Sequence, residues 1–176
     1  MMRQRTLYVV SGLALLAAGC AATAEGDRTQ VAPAFDVAGF FTGASRGEGA
    51  LTYRSGRVDQ TFSVISDGRW NDDGDFILRQ IIDWSDGDRQ LRTFVLTPEG
   101  EGRFKGHFAG SDDPVRLWVE GDAAYLEHGL PGLPMGHIRQ EMVPSADGRT
   151  LDNRGTVRVL GMPVRRLEET IEKRGE

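Results

Sequence analysis

The chain has 176 residues, with 21 Lys+Arg against 26 Asp+Glu, a formal charge of −5 and 39% hydrophobic residues. That length and apolar content suit one folded domain plus a tail, and argue against wholesale disorder. The acidic balance argues against nucleic acid as a partner, which needs a basic footprint to replace phosphate counterions. One cysteine excludes an internal disulfide and an all-cysteine metal site.

The N-terminus reads as an export signal. Arg3 and Arg5 precede an apolar stretch from Leu7 to Ala18, too short to span a bilayer, which takes roughly 20 helical residues. The stretch ends Leu15-Leu16-Ala17-Ala18-Gly19-Cys20, and small residues directly before a cysteine suit lipoprotein processing. The expectation is a signal peptide over 1–19 with Cys20 lipidated. Ala17 departs from the leucine commonest at that place. Cleavage leaves 157 residues with 19 basic and 26 acidic side chains, a charge of −7. Ala21 after the cysteine favours the outer membrane facing the periplasm, and residues 21–34 read as a flexible tether.

From residue 35 onward the expectation is a single all-β domain, 35–176. Val58, Gln60, Phe62 and Val64 alternate with polar neighbours, as do Phe76, Leu78, Gln80, Ile82 and Trp84. Phe104, Gly106 and Phe108, then Val115, Leu117 and Val119, repeat the pattern. Asp67-Gly68, Asp86-Gly87 and Asp147-Gly148 punctuate it as hairpin turns, with Ser55-Gly56 and Glu99-Gly100 serving similarly. About 8–10 antiparallel strands fill the length, the size of a small up-and-down barrel or calycin. Only the C-terminus is contested. Val164, Leu167 and Ile171 fit a helix by spacing, while a closed barrel needs a last strand to cover its first edge.

Phe35-Asp36-Val37 through Phe40-Phe41-Thr42-Gly43, with Gly47-Glu48-Gly49, resembles the opening of an uncharacterised bacterial lipoprotein family, domain of unknown function 3833. Asp67-Gly68-Arg69-Trp70, Asp75-Phe76, Asp147-Gly148-Arg149-Thr150-Leu151, Asn153-Arg154 and Gly161-Met162-Pro163-Val164 follow in the same order. The resemblance implies a lipid-anchored, lipocalin-like barrel and a strand after Pro163. It supplies no activity and no catalytic residue. The sequence departs from it at the Gly/Pro-rich stretch 128–137.

Several residues invite chemistry. Gly43-Ala44-Ser45-Arg46-Gly47 matches G-x-S-x-G, but that elbow requires a strand-to-helix turn in an α/β sheet. His107, His128 and His137 sit in no catalytic motif. Asn71-Asp72-Asp73-Gly74-Asp75 lacks the ligand spacing of a calcium loop, and His128, Met135 and His137 offer copper-type ligands without a fixed geometry. No metal, cofactor or catalytic residue is assigned.

The stronger candidates belong to a binding protein. Leu130, Leu133 and Met135, on a loop spanning His128–His137, are a candidate ligand portal or lid. Arg79, Arg92, Arg116 and Arg158 fall within expected strands, and any that faces a lumen needs an acid or an anionic head group as partner. The expected function is a non-enzymatic, lipid-anchored barrel that holds or shuttles an apolar ligand such as a fatty acyl chain. Two alternatives stand beside it: an envelope interaction module with a filled barrel and an unidentified protein partner, and an enzyme using the histidines.

Overall fold

A computed structural model describes residues 35–175. The expected signal peptide, Cys20 and the tether lie outside the described residues. Among the described residues, no helix is long and apolar enough to cross a membrane.

The described chain begins with a short helix, α1 (Val37–Phe41), capped by Asp36, whose Oδ1 accepts from the Gly39 N–H at 2.9 Å. Val37, Ala38, Phe40 and Phe41 are buried, which is more apolar surface than so short a helix can hide alone. Ten strands follow: β1 (Gly43–Tyr53), β2 (Val58–Trp70), β3 (Phe76–Trp84), β4 (Arg89–Gly100), β5 (Arg103–Phe108), β6 (Pro114–Glu120), β7 (Ala123–Gly129), β8 (Gly136–Pro144), β9 (Thr150–Val159) and β10 (Met162–Lys173).

Each strand pairs antiparallel with its sequence neighbour, and β1 pairs with β10 to close the barrel. The fold is a closed, ten-stranded, lipocalin-like barrel. The contested C-terminus is strand. From Ser45↔Lys173 to Tyr53↔Arg165 it covers the free edge of β1, and closure removes the unpaired edge that helix propensity alone would have left. Lys173 Nζ also donates to the Gly39 carbonyl at 2.8 Å, tying β10 to α1.

One expected turn moves. Asp67-Gly68 is not a hairpin tip but lies inside β2, and the chain reverses at Asn71–Asp75 instead. Gly68 is there for close approach: a Cβ on it would collide with the Phe41 carbonyl and the Phe76 ring. Helix α1 therefore rests on a glycine in the wall. In the actual turn, Asn71 Oδ1 accepts from the N–H groups of Asp73 (3.1 Å) and Asp75 (2.8 Å).

Alternation sends every second residue inward. At the α1 end, Phe76, Leu78, Phe94, Leu96, Phe104, Val115, Leu117, Met142, Leu151 and Ile171 pack with the helix into the main core. A smaller cluster of Phe62, Val64 and Ile82, joined by Trp84 and Leu167, lines the other half of the β2–β3–β10 wall. Burial fades along these strands away from α1. Ser45 and Gly47 are buried while Leu51 and Tyr53 are only half-buried, and Leu96 and Phe94 are buried while Arg92 and Gln90 are half-buried. The barrel is thus plugged at the α1 end and opens at the opposite rim.

Candidate functional site: a lumen with a polar belt

Between plug and rim lies a cavity of about 90 Å³, space for about three water-sized groups at the ~30 Å³ each fills in the liquid. Its floor is apolar, formed by Val37, Ala38, Phe41, Phe76, Leu96 and Ile171, and its upper wall carries Phe62, Val64, Ile82, Trp84 and Leu167. Polar side chains occupy the inward positions between: Gln80 on β3, Arg92 on β4, His128 on β7, Gln140 on β8, Asn153 on β9 and Glu169 on β10. On β3 and β10 the pattern is explicit. Gln80 stands between Leu78 and Ile82, and Glu169 between Leu167 and Ile171. A barrel wanted only for stability would carry apolar side chains here, because each polar group sunk in the wall costs free energy unless it is partnered.

Arg92 is the central feature. Its guanidinium donates to Gln90 Oε1 at 3.0 Å and forms no ion pair with any described residue. Desolvation alone pushes its pKa below the ordinary arginine value. Arg165 is the contrast. Also on an inward position but at the rim, it binds Asp59 at 2.6 Å and lies 3.8 Å over the Tyr53 ring. Hydrogen bonds from Tyr53 and Arg165 hold the Asp59 carboxyl below its usual value.

His128 is 3% exposed and packs edge-on against Phe94 and Phe108, with centroids 5.7 and 5.1 Å away. Its Nδ1 lies 2.6 Å from the Gly129 carbonyl. A carbonyl only accepts, so Nδ1 carries the proton and Nε2 is left as an acceptor. Burial, with a smaller contribution from the Arg92 charge, lowers its pKa to about 4, against a hydrogen bond that works the other way. This ring is neutral at physiological pH.

A second polar group lies on β8–β10. Asn153 Nδ2 donates to Gln140 Oε1 and to Glu169 Oε2, both at 2.8 Å. Burial raises the Glu169 carboxyl to about 7, even though the Asn153 bond favours its charged form. Two buried atoms of the lumen wall have no hydrogen-bond partner among the described residues, the Trp84 indole Nε1 and Asn153 Oδ1. Both line the cavity residues' ring.

Of the four candidate head-group arginines, Arg92 reaches the lumen. Arg79 and Arg116 are exposed on outward positions, one residue out of phase with Leu78 and Leu117. Arg158 is half-buried on the outer face, where it shares a groove with Arg139, Arg154 and Arg166. Strand phase explains the division: a single step along a strand reverses the face.

The candidate portal loop is shorter than its composition suggests. Strand β7 runs to Gly129 and β8 starts at Gly136, so His128 and His137 belong to strands rather than to the loop. They occupy opposite faces, being one step apart across the pair Gly129↔His137. The remaining turn, 130–135, sits at the open rim. Leu130 is half-buried, Leu133 packs onto Gly136, and Met135 is 71% exposed beside Leu160, whose N–H donates to the Met135 carbonyl. His107 is exposed on β5, and Ser45 lies mid-strand on β1 with its Oγ buried. That is no nucleophile elbow.

The family pattern described as "Protein of unknown function (DUF3833)" matches residues 14–173. The chain belongs to the DUF3833 family. No curated protein matches it in sequence. Among solved structures it is similar to the S-type phycobiliprotein lyase CpeS from Guillardia theta, with a TM-score of 0.62 and 8% identity over 79% of this chain and 91% of that one. A DUF3598-family protein of unknown function from Nostoc punctiforme gives 0.57 and 16%, over 77% of this chain and 48% of that one. Rv2717c from M. tuberculosis gives 0.56 and 17%, over 77% and 94%. At these identities the likeness is one of fold.

The polar belt is only partly legible in the sequence. Gln80 sits in the inward phase of the run Phe76–Trp84, and a polar residue in that phase is a visible signal. Glu169 carried none, because its segment fitted two secondary structures.

Proposed function

We propose that this DUF3833 protein is a lipid-anchored binding protein of the cell envelope, without catalytic activity, whose barrel holds one small amphiphile. Its apolar body lies against the floor and its anionic head meets Arg92. The observation that carries this reading is the guanidinium itself, sunk in the lumen with a neutral glutamine as its only polar partner among the described residues. A half-buried, desolvated cation without a counterion is only partly satisfied, and an incoming carboxylate or phosphate supplies the missing charge.

The cavity volume limits the ligand. About three water-sized groups correspond to only the first few carbons of an acyl chain, so the rest of even an octanoate-length chain would project through the rim. Leu133, Met135, Leu160 and Met162 are exposed there and give an apolar edge for a chain to cross. The anchor rests on the sequence Leu15–Cys20, with Cys20 as the lipidation site and the outer membrane, facing the periplasm, as the address. The family match reaches back to residue 14 and so includes this stretch.

Two experiments test the reading. Protein lacking residues 1–20, purified from membrane-containing lysate, is expected to carry a small acidic amphiphile in native mass spectrometry and to bind short fatty acids. A barrel that carries none and displaces no fluorescent fatty acid contradicts it. Cys20→Ala is expected to abolish palmitate labelling and membrane fractionation, and labelling that survives contradicts the anchor.

A further inference from the structure

The group on β8–β10 is on the wrong wall to serve the same head as Arg92. Strands β4 and β10 are four steps apart around a ten-stranded ring, and no ion pair joins Arg92 to Glu169. The lumen therefore has two separate polar poles.

The chemistry of the second pole is fixed by its hydrogen bonds. Asn153 is 4% exposed and uses its Nδ2 for both Gln140 Oε1 and Glu169 Oε2. With Glu169 ionised, flipping the amide would set its oxygen against the carboxylate, so the orientation with Nδ2 donating is the favoured one. Its donors are consumed and its Oδ1 is left buried with no partner among the described residues. Glu169 Oε1 lies above Gly47, where a Cβ would collide with it. A backbone without a side chain at 47 keeps the carboxyl in its niche. The pole presents acceptors, and a ligand that completes it must donate.

We propose that Asn153 and Glu169, braced by Gln140, form a second subsite that accepts a hydrogen bond from a hydroxyl on the ligand. The ligand class is then a short hydroxylated carboxylate rather than a plain fatty acid. This rests on the reading of Arg92 as the carboxylate anchor. With Glu169 ionised the pole accepts, and a hydroxyl donates to it without bringing a second full charge into the buried wall.

The test is calorimetric titration of the barrel with octanoate and with octanoates hydroxylated at C4, C6 or C8. At least one hydroxylated acid is expected to bind about tenfold more tightly than octanoate, the range of one hydrogen bond to a charged or buried partner. Glu169→Leu and Asn153→Leu, each confirmed as folded by circular dichroism, are expected to erase that gain, so that each variant binds the hydroxylated acid and octanoate alike. Equal affinity for all four acids overturns the second subsite and leaves Arg92 anchoring intact. Failure of every acid to bind wild type overturns both. A gain that persists in both variants overturns the assignment to these residues.

Discussion

Gly47 on β1 makes room for the carboxyl of Glu169 on β10: a Cβ at 47 would lie 2.9 Å from Glu169 Cδ and closer still to Oε1. The carboxyl cannot swing away freely, because Asn153 holds its other oxygen at 2.8 Å. A glycine and a glutamate 122 positions apart thus define one niche at the seam where the barrel closes.

Gly47→Ala is expected to destabilise the barrel by about 1–3 kcal/mol, the usual cost of overpacking a filled site. In a Glu169→Ala background most of that cost should vanish. Urea denaturation of both single variants and the double variant measures the coupling, and simple additivity would mean the two residues do not share the niche.

Two buried titratable groups are expected to oppose each other in pH dependence. Burial raises Glu169 from 4.5 to about 7, so its contribution is most favourable below pH 4.5 and is lost as pH rises through 7. His128 is lowered from 6.5 to about 4, so its contribution is full above pH 6.5 and is lost as pH falls through 4. Each shift corresponds to about 3 kcal/mol. Relative to wild type, Glu169→Gln should therefore be about 3 kcal/mol more favourable at pH 8 than at pH 4. His128→Phe, which keeps the packing on Phe94 and Phe108, should show the opposite sign. Denaturation curves at the two pH values check both.

Much of this architecture was legible in the sequence, for a physical reason. Residues such as Phe76, Leu78, Ile82 and Trp84 alternate because one face of each strand is buried, and that period survives in the chain as written. Asp67-Gly68 misled because a glycine needed for contact with Phe41 looks the same in sequence as one needed for a turn. The C-terminal strand was ambiguous because Leu167 and Ile171 satisfy a helical spacing while their inward neighbour Glu169 breaks the apolar strand phase. Local pattern and fold disagree where a polar group is built into the wall. Arg79 and Arg116 are placed outward by phase alone, but β4 carries apolar residues in both phases, Leu91 and Val95 against Phe94 and Leu96, so only the register Gln80↔Arg92 decides the face of Arg92.

Replacing Arg92 should separate stability from binding. Arg92→Met removes a desolvated charge without a counterion and keeps side-chain volume, so the ligand-free barrel should gain about 1 kcal/mol. Its Tm should then be insensitive to added short fatty acids, whereas that of wild type rises. Thermal melts with and without octanoate read both effects.

Phe76, 1% exposed at the floor and packed with the α1 core, should be intolerant of truncation. Phe76→Ala is expected to cost about 3–5 kcal/mol. Leu91, 72% exposed on the outer face of β4, should tolerate Leu91→Ser within about 0.5 kcal/mol. Chemical denaturation of the pair tests where the core lies.

The most direct test of the account uses Trp84, which lines the cavity with an unpartnered indole N–H. Titrating octanoate into wild-type protein should change Trp84 emission saturably, with the change absent in Trp84→Phe. In Arg92→Met the apparent affinity should fall at least tenfold. Unchanged affinity in Arg92→Met, or no saturable response in wild type, would contradict a lumen that holds an anionic amphiphile at Arg92.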